Sequence, residues 1–384
     1  MKKTLILFLA AVACAITVPA VAARHKTVKG SGKIVTETRS VGAFHAVEAG
    51  SVARVFVGDY PADRVTVKVD DNLLAYVKVD VDKGELRIGF TDISVQDADL
   101  TVYVPASGVT QFRATGLASL SLETPLEGIT CLNAAGAAKI SAEHPLQTNN
   151  AEIQTSGTAR ILVETMTGTL ERISATGGSE IELKGQPAGA DATIETNGTA
   201  RIGVESLAGT VSRIMAAGAS TIDLKGQPVG YDATVETSGT ARIIAKSLAG
   251  SVSRIAAIGA STIDLKGQLT GRDVAIQTSG TSRIAAESTL DCGNAAVESS
   301  GSSRIAIGIK CTDCRIKTSG TANTTATLDV TTLDVESSGN TGMTLSGTAS
   351  SCRINAGGTS RIDTTRLKSD LWNTSVGKYA IFRQ

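Results

Sequence analysis

Asp191-Ala-Thr-Ile-Glu-Thr-Asn-Gly-Thr-Ala-Arg-Ile202 returns 41 residues later as Asp232-Ala-Thr-Val-Glu-Thr-Ser-Gly-Thr-Ala-Arg-Ile243. Ser-Thr-Ile-Asp-Leu-Lys-Gly-Gln follows in both copies, and a looser third copy covers 150–190. Each block holds two glycines of a longer series that runs Gly116, Gly136, Gly157, Gly177, Gly198, Gly218, Gly239, Gly259, Gly280, Gly301, Gly320, Gly339 and Gly358. Four residues before each lies an apolar side chain, such as Ile153, Ile194, Val235 or Ile276, and four after usually another, such as Ile161, Ile202, Ile243 or Ile284. Thr324 is the plain exception. A register kept this long makes each repeat of about twenty residues one coil of a stack that buries its face on its neighbours.

Even spacing within a coil, as for Ile161 with Val163, sets side chains on one face of a strand, and that face is the interior. A glycine between strands permits positive φ and leaves room for the next coil's backbone. Helix periodicity is absent, and between Arg113 and Leu371 the only aromatic residue is Tyr231, so the core is thin. The predicted architecture is all-β: a right-handed parallel β-helix, or closely related β-solenoid, of about thirteen coils over 111–366. Residues 30–110 alternate apolar and polar in five short runs and form an N-terminal β-rich part. Residues 367–384 bring back aromatics and are expected to cap the open last coil.

Met1-Lys2-Lys3, the apolar run from Leu5 to Val18 and the small residues around Ala20-Val21-Ala22-Ala23 read as a secretory leader, 1–22. Lipidation at Cys14 is a second reading of this segment. No other run reaches membrane-spanning length. With 37 basic and 37 acidic residues the chain is neutral overall, which gives no general pull toward nucleic acid or anionic lipid.

The surface feature that stands out is an arginine three places after the glycine: Arg160, Arg201, Arg242, Arg283, Arg304 and Arg361. In the middle of the rod it falls on every second coil, a repeat of about 9.6 Å. One reading is a ladder facing an acidic polysaccharide; the other is a solvated position that keeps the rod soluble. The column seven places after the glycine, Glu164, Lys184, Glu205, Lys225, Lys246, Lys266 and Glu287, mixes signs and favours the second. Hydroxyls beside the glycines, such as Ser156, Thr158, Ser238 and Thr240, are explained by turn chemistry.

No catalytic, cofactor-binding or metal-ligating set emerges. His25, His45 and His144 share no ligand spacing, Asp92, Asp97 and Asp99 have no diagnostic one, and Asp70-Asp71-Asn72 reads as a turn. Five cysteines follow the leader. Cys292 and Cys311 each lie nine residues before a series glycine, which places their Cα atoms about 5 Å apart on consecutive coils, within disulfide reach. Free thiols are the alternative. Cys311-x-x-Cys314 also has the form of a redox or metal pair, but no second pair completes a zinc site.

Gly30-Ser-Gly32, Arg39-Ser-Val-Gly-Ala-Phe44, Asn72-Leu-Leu74 and Gly84-Glu-Leu-Arg-Ile88 precede the glycine-punctuated coils. In this order they resemble the family described as "putative auto-transporter adhesin, head GIN domain", from about residue 30 to 300. The resemblance implies exported bacterial β-helix proteins related in shape to pectin lyases, without an established catalytic set. The family name implies adhesion and carries over no binding residues. This chain has more coils than the family pattern needs.

The expected function is that of an exported, non-enzymatic envelope protein, in the periplasm, on the outer membrane or outside the cell. Cell-surface glycans or envelope proteins are the expected partners, without nucleic acid, cofactor or metal. The alternative is a β-helix that binds or cleaves acidic polysaccharide.

Overall fold

The computed structural model describes residues 26–384, so the expected leader, Cys14 and His25 lie outside the described residues. The chain is a β-solenoid of about fourteen turns. Strands of successive coils pair in parallel and in register: Ile140 with Ile161, Ile161 with Ile181, Ile181 with Ile202, and Ile202 with Ile222. Those isoleucines, and the column Ile153, Ile173, Ile194, Ile214 and Val235 on the strand before the turn, are fully buried. The long side of each coil between them is less regular, and its pairing carries β-bulges, as between Leu170 and Arg172.

Glycine is required at the turn for two separate reasons, seen at Gly239. Its φ is +74°, and a Cβ there would lie 2.5 Å from the carbonyl oxygen of Gly218 one coil earlier. The same carbonyl accepts the N–H of Thr240 at 2.7 Å, so the turn itself continues the ladder between coils. The left-handed conformation disfavours side chains by about 1–2 kcal/mol, and the close backbone removes the space for one.

The sequence register overlooks the first such turn because Ser51 occupies it. Ala46–Ala49 and Arg54–Gly58 pair in parallel with Gln111–Ala114 and Ser119–Leu122, and Ser51, at φ +59°, stands beneath Gly116. Glu85–Phe90 and Leu100–Pro105 then pair in parallel on the other side of this coil, although they come later in the chain. Residues 30–110 therefore contribute coils to the same stack. The end beyond them is covered by antiparallel strands, Ile34–Ser40 on Arg64–Asp70 and Val77–Asp82 on Glu85–Phe90. Asp70-Asp71-Asn72 makes its turn and also latches the N-terminal segment: Asp70 accepts the N–H groups of Gly32 (2.7 Å) and Asp99 (2.8 Å), and Asn72 accepts that of Ser31.

At the other end the expected cap is a further coil. Arg361–Val376 pairs in parallel with the strand before it, and Ile381–Arg383 pairs back on Arg361–Asp363. Trp372 stacks on Cys352 and Phe382 on Ile362, so bulky rings finish two inward columns; their centroids are 6.2 Å apart.

Two features inside the coils escape hydrophobic counting. Hydroxyls two residues before one glycine and two after the next meet in the interior: Thr155 with Ser179, Thr196 with Ser220 and Thr237 with Ser261, each pair 2.8 Å apart. Each serine also donates to a backbone carbonyl, as Ser220 does to Ala217 at 2.8 Å, so these buried groups are satisfied. Asn150, Asp191 and Asp232 hold φ near +50° at one corner, and each N–H is received by a hydroxyl of the next coil: Thr169, Thr210 and Ser251. The 41-residue block thus repeats a corner as well as a core.

Replacing Gly239 by Ala is expected to lower the stability of the stack by at least about 2 kcal/mol, and Ser51→Gly to leave it within about 1 kcal/mol. Thermal unfolding followed by circular dichroism checks both; equal midpoints for Gly239→Ala and the parent would contradict the close-approach argument.

Candidate functional site

Because inward positions are committed to packing, chemistry is left to the outward columns. On the strand after the glycine, the column three places on stacks Arg160, Glu180, Arg201, Thr221, Arg242, Thr262, Arg283 and Arg304 on consecutive coils. All five candidate arginines are exposed on this one face. Arg160 is paired with Glu180. Arg201, Arg242, Arg283 and Arg304 have no carboxylate partner among the described residues. In the mixed column beyond them Lys184 pairs with Glu164 at 2.8 Å and Lys266 with Glu287 at 2.6 Å. No carboxylate thus lies within ion-pair distance of these four arginines among the described residues, although Asp223, Asp264 and Glu287 line the same face.

A second arginine column lies on the strand before the turn, five places ahead of the glycine, where Arg172, Arg213 and Arg254 alternate with threonines. It is visible on counting back from the glycines, but its partners are not, since they lie one coil away. Glu195 bridges Arg172 (2.8 Å) and Arg213 (3.4 Å), Glu236 holds Arg254 (2.7 Å), and Glu336 holds Arg315 (2.5 Å) and Lys317 (3.4 Å). One residue type thus occupies two columns, with acid partners for Arg172, Arg213, Arg254 and Arg315 in one and for Arg160 alone among the five candidates in the other.

The unpaired column borders shallow grooves, because small residues lie two places further along on the arginine coils: Gly203, Ala285 and Ala306. One depression of about 570 Å³ is lined by Arg242, Thr262, Asp264, Arg283, Ala285 and Glu287, among others. Another of about 300 Å³ lies between Arg201, Gly203 and Asp223, and Asp223 Oδ1 there is buried with no hydrogen-bond partner. Carboxylates at this second position, Glu182, Asp223 and Asp264, sit on the coils between the arginines. From Glu182 to Arg283 the face therefore alternates anionic and cationic coils, and Arg304 on the next coil ends the alternation.

Several of the other sequence candidates have structural roles. Asp97 pairs with Lys29 and Asp99 with Arg54, whose guanidinium holds the Asp99 carboxyl below its usual range. Thr158, Thr199 and Thr240 each donate to the glycine carbonyl of an earlier coil at 3.3 Å, which is turn chemistry. Among the described residues no group of three or more His, Cys, Asp or Glu is arranged to hold a metal ion, and no helix is long and apolar enough to cross a membrane.

The five described cysteines are thiols. Register places Cys292 beside Cys311 on consecutive coils, between the pairs Asp291–Lys310 and Asn294–Asp313. Cys311 and Cys314 both turn inward, with exposed Thr312 and Asp313 at the corner between them. The Cys311 S–H donates to the Asp313 carbonyl at 3.3 Å; the neighbouring thiols of Cys292 and Cys314 hold Cys311 below the ordinary thiol range, while Cys311 and burial push Cys292 and Cys314 up.

A parallel solenoid with in-register surface columns defines a repeat scaffold that presents faces. The chain belongs to the family described as "putative auto-transporter adhesin, head GIN domain", whose model matches residues 43–227 and 306–377. Similar solved structures include a "putative adhesin" from Parabacteroides merdae, with 18% identity over 70% of this chain and 96% of that one and a TM-score of 0.37. Another "putative adhesin", from Parabacteroides distasonis, has 16% identity over 70% of this chain and 100% of that one, with a TM-score of 0.40. A "putative lipid binding protein" from the same species has 12% identity over 94% of this chain and 100% of that one, with a TM-score of 0.31. The comparison with curated proteins finds no match.

The two arginine columns differ in what they give the fold. Arg254→Ala is expected to cost up to about 1 kcal/mol through the loss of Glu236, whereas Arg242→Ala stays within about 0.5 kcal/mol. Paired thermal midpoints of the two variants check this, and a larger loss for Arg242→Ala would contradict it.

Proposed function

We propose that the protein is exported to the cell envelope and works there as a non-catalytic contact surface, in adhesion or a related surface interaction. The observation that carries this reading is the unpaired arginine column, which repeats on one face of a rigid stack. A repeated face engages a repeated partner at several points, so modest contacts sum to firm attachment. The leader-like segment 1–22 and membership of an adhesin-described family support export and surface exposure.

Cell fractionation combined with protease shaving of intact cells tests the location. The expected outcome is a protein lacking its first 22 or 23 residues and recovered in envelope or medium fractions. Recovery of the uncleaved chain in the cytoplasm would contradict it.

A further inference from the structure

We infer that the face carrying Arg201, Arg242, Arg283 and Arg304 binds an acidic polysaccharide in which an acid-bearing sugar alternates with a neutral one. This rests on the contact-surface reading and names its ligand class. The first argument is energetic. Arg283 and Arg304 are in direct register on adjacent strands, where like charges oppose each other, and neither has a carboxylate partner among the described residues. The neighbouring arginine column shows that this fold readily supplies a glutamate where neutrality suffices.

The second argument is spacing. Arg201, Arg242 and Arg283 stand two coils apart, about 9.6 Å, so an extended chain along the rod meets one guanidinium per repeat of that length. Guanidinium groups suit carboxylates and sulfates, which they engage through paired N–H donors. Between the arginines lie Thr221, Thr262, Asp223 and Asp264, which exchange hydrogen bonds with the hydroxyls of a neutral sugar. A polymer charged at every unit would bring its acid groups against Asp223 and Asp264 and be repelled. The face also lacks the aromatic platforms on which nucleic-acid bases stack.

The test uses the mature protein, with size-defined hyaluronan, polygalacturonate, duplex DNA and neutral dextran as probes in biolayer interferometry at two salt concentrations. Hyaluronan alternates a uronic acid with a neutral sugar, whereas polygalacturonate carries an acid on every unit. The expected result is preferential binding of hyaluronan, weaker at high salt, and weakened about tenfold by Arg242→Ala with Arg283→Ala. The control pair Arg213→Ala with Arg254→Ala, from the neutralised column, leaves it unchanged. Absence of hyaluronan binding, equal or tighter binding of polygalacturonate or DNA, or equal weakening by both pairs would overturn the inference. A surface-exposed protein that ignores hyaluronan sinks this inference alone; a cytoplasmic one sinks the contact-surface reading beneath it.

A different observation carries a second inference. Cys292 and Cys311 line one groove of about 650 Å³, and Cys314 is buried three residues beyond Cys311. We propose that a small-molecule or protein disulfide oxidises Cys292 and Cys311 to a cross-coil disulfide. Cys311 attacks the oxidant and releases one thiol; Cys292 then displaces the second, so two protein thiols are oxidised as one disulfide is reduced. Parallel neighbours about 4.8 Å apart fit the bond, whereas Cys311 and Cys314 are separated by a corner. Trypsin releases Cys292 in 284–304 and the other two together in 311–315. After treatment with oxidised glutathione and alkylation, the expected product links these peptides and carries one alkylated thiol, and Cys314→Ala preserves the link. A bond within 311–315, or three alkylated thiols, would overturn the proposal.

Discussion

The carbonyl oxygen of one turn glycine lies under the next glycine, where a side chain would have to begin. With the hydrogen bond it accepts from the following coil, this contact pins each turn on the one below. A shift by one residue would place a side chain against backbone at the turn and move every inward isoleucine to the surface. The spacing between coils, the burial of the core and the alignment of the outer columns all depend on this seat.

Once register is held, surface chemistry becomes one-dimensional. Residues at one offset form a column, and the 41-residue duplication makes the columns alternate between two chemistries. That alternation lets Glu195 serve two arginines on one face. On the other face it separates Arg201, Arg242 and Arg283 by coils that carry Thr221 and Thr262 in register, and none of the three forms an ion pair among the described residues. The two faces therefore differ in how far their arginines are paired, at little cost to the fold, because an exposed ion pair contributes at most about 1 kcal/mol.

Much of this was legible in the sequence, because the period is written in residues that backbone sterics dictate. Glycine spacing predicted the coils, and the offsets placed the five arginines on one face and brought Cys292 beside Cys311. Other features were hidden for identifiable reasons. Ser51 takes the left-handed turn without being glycine, so the first coil broke the pattern. The coil from Glu85–Phe90 and Leu100–Pro105 lies beneath one that precedes it in the chain, an inversion no local signal encodes. The tail's aromatics announce the end of the stack, but that its backbone continues the parallel pairing is not visible in them. Ion pairing between coils depends on side-chain reach across strands, which residue counting does not supply.

Common register along the arginine column is most directly measured by pulsed electron spin resonance. Spin labels carried on unnatural amino acids would leave the cysteines intact. Pairs at positions 160 and 242, 160 and 283, and 160 and 361 span four, six and ten coil steps. Backbone separations of about 19, 29 and 48 Å, rising linearly with coil number, are predicted. Distances that stop rising, or that scatter without relation to coil number, would show that the glycines do not hold one register along the rod.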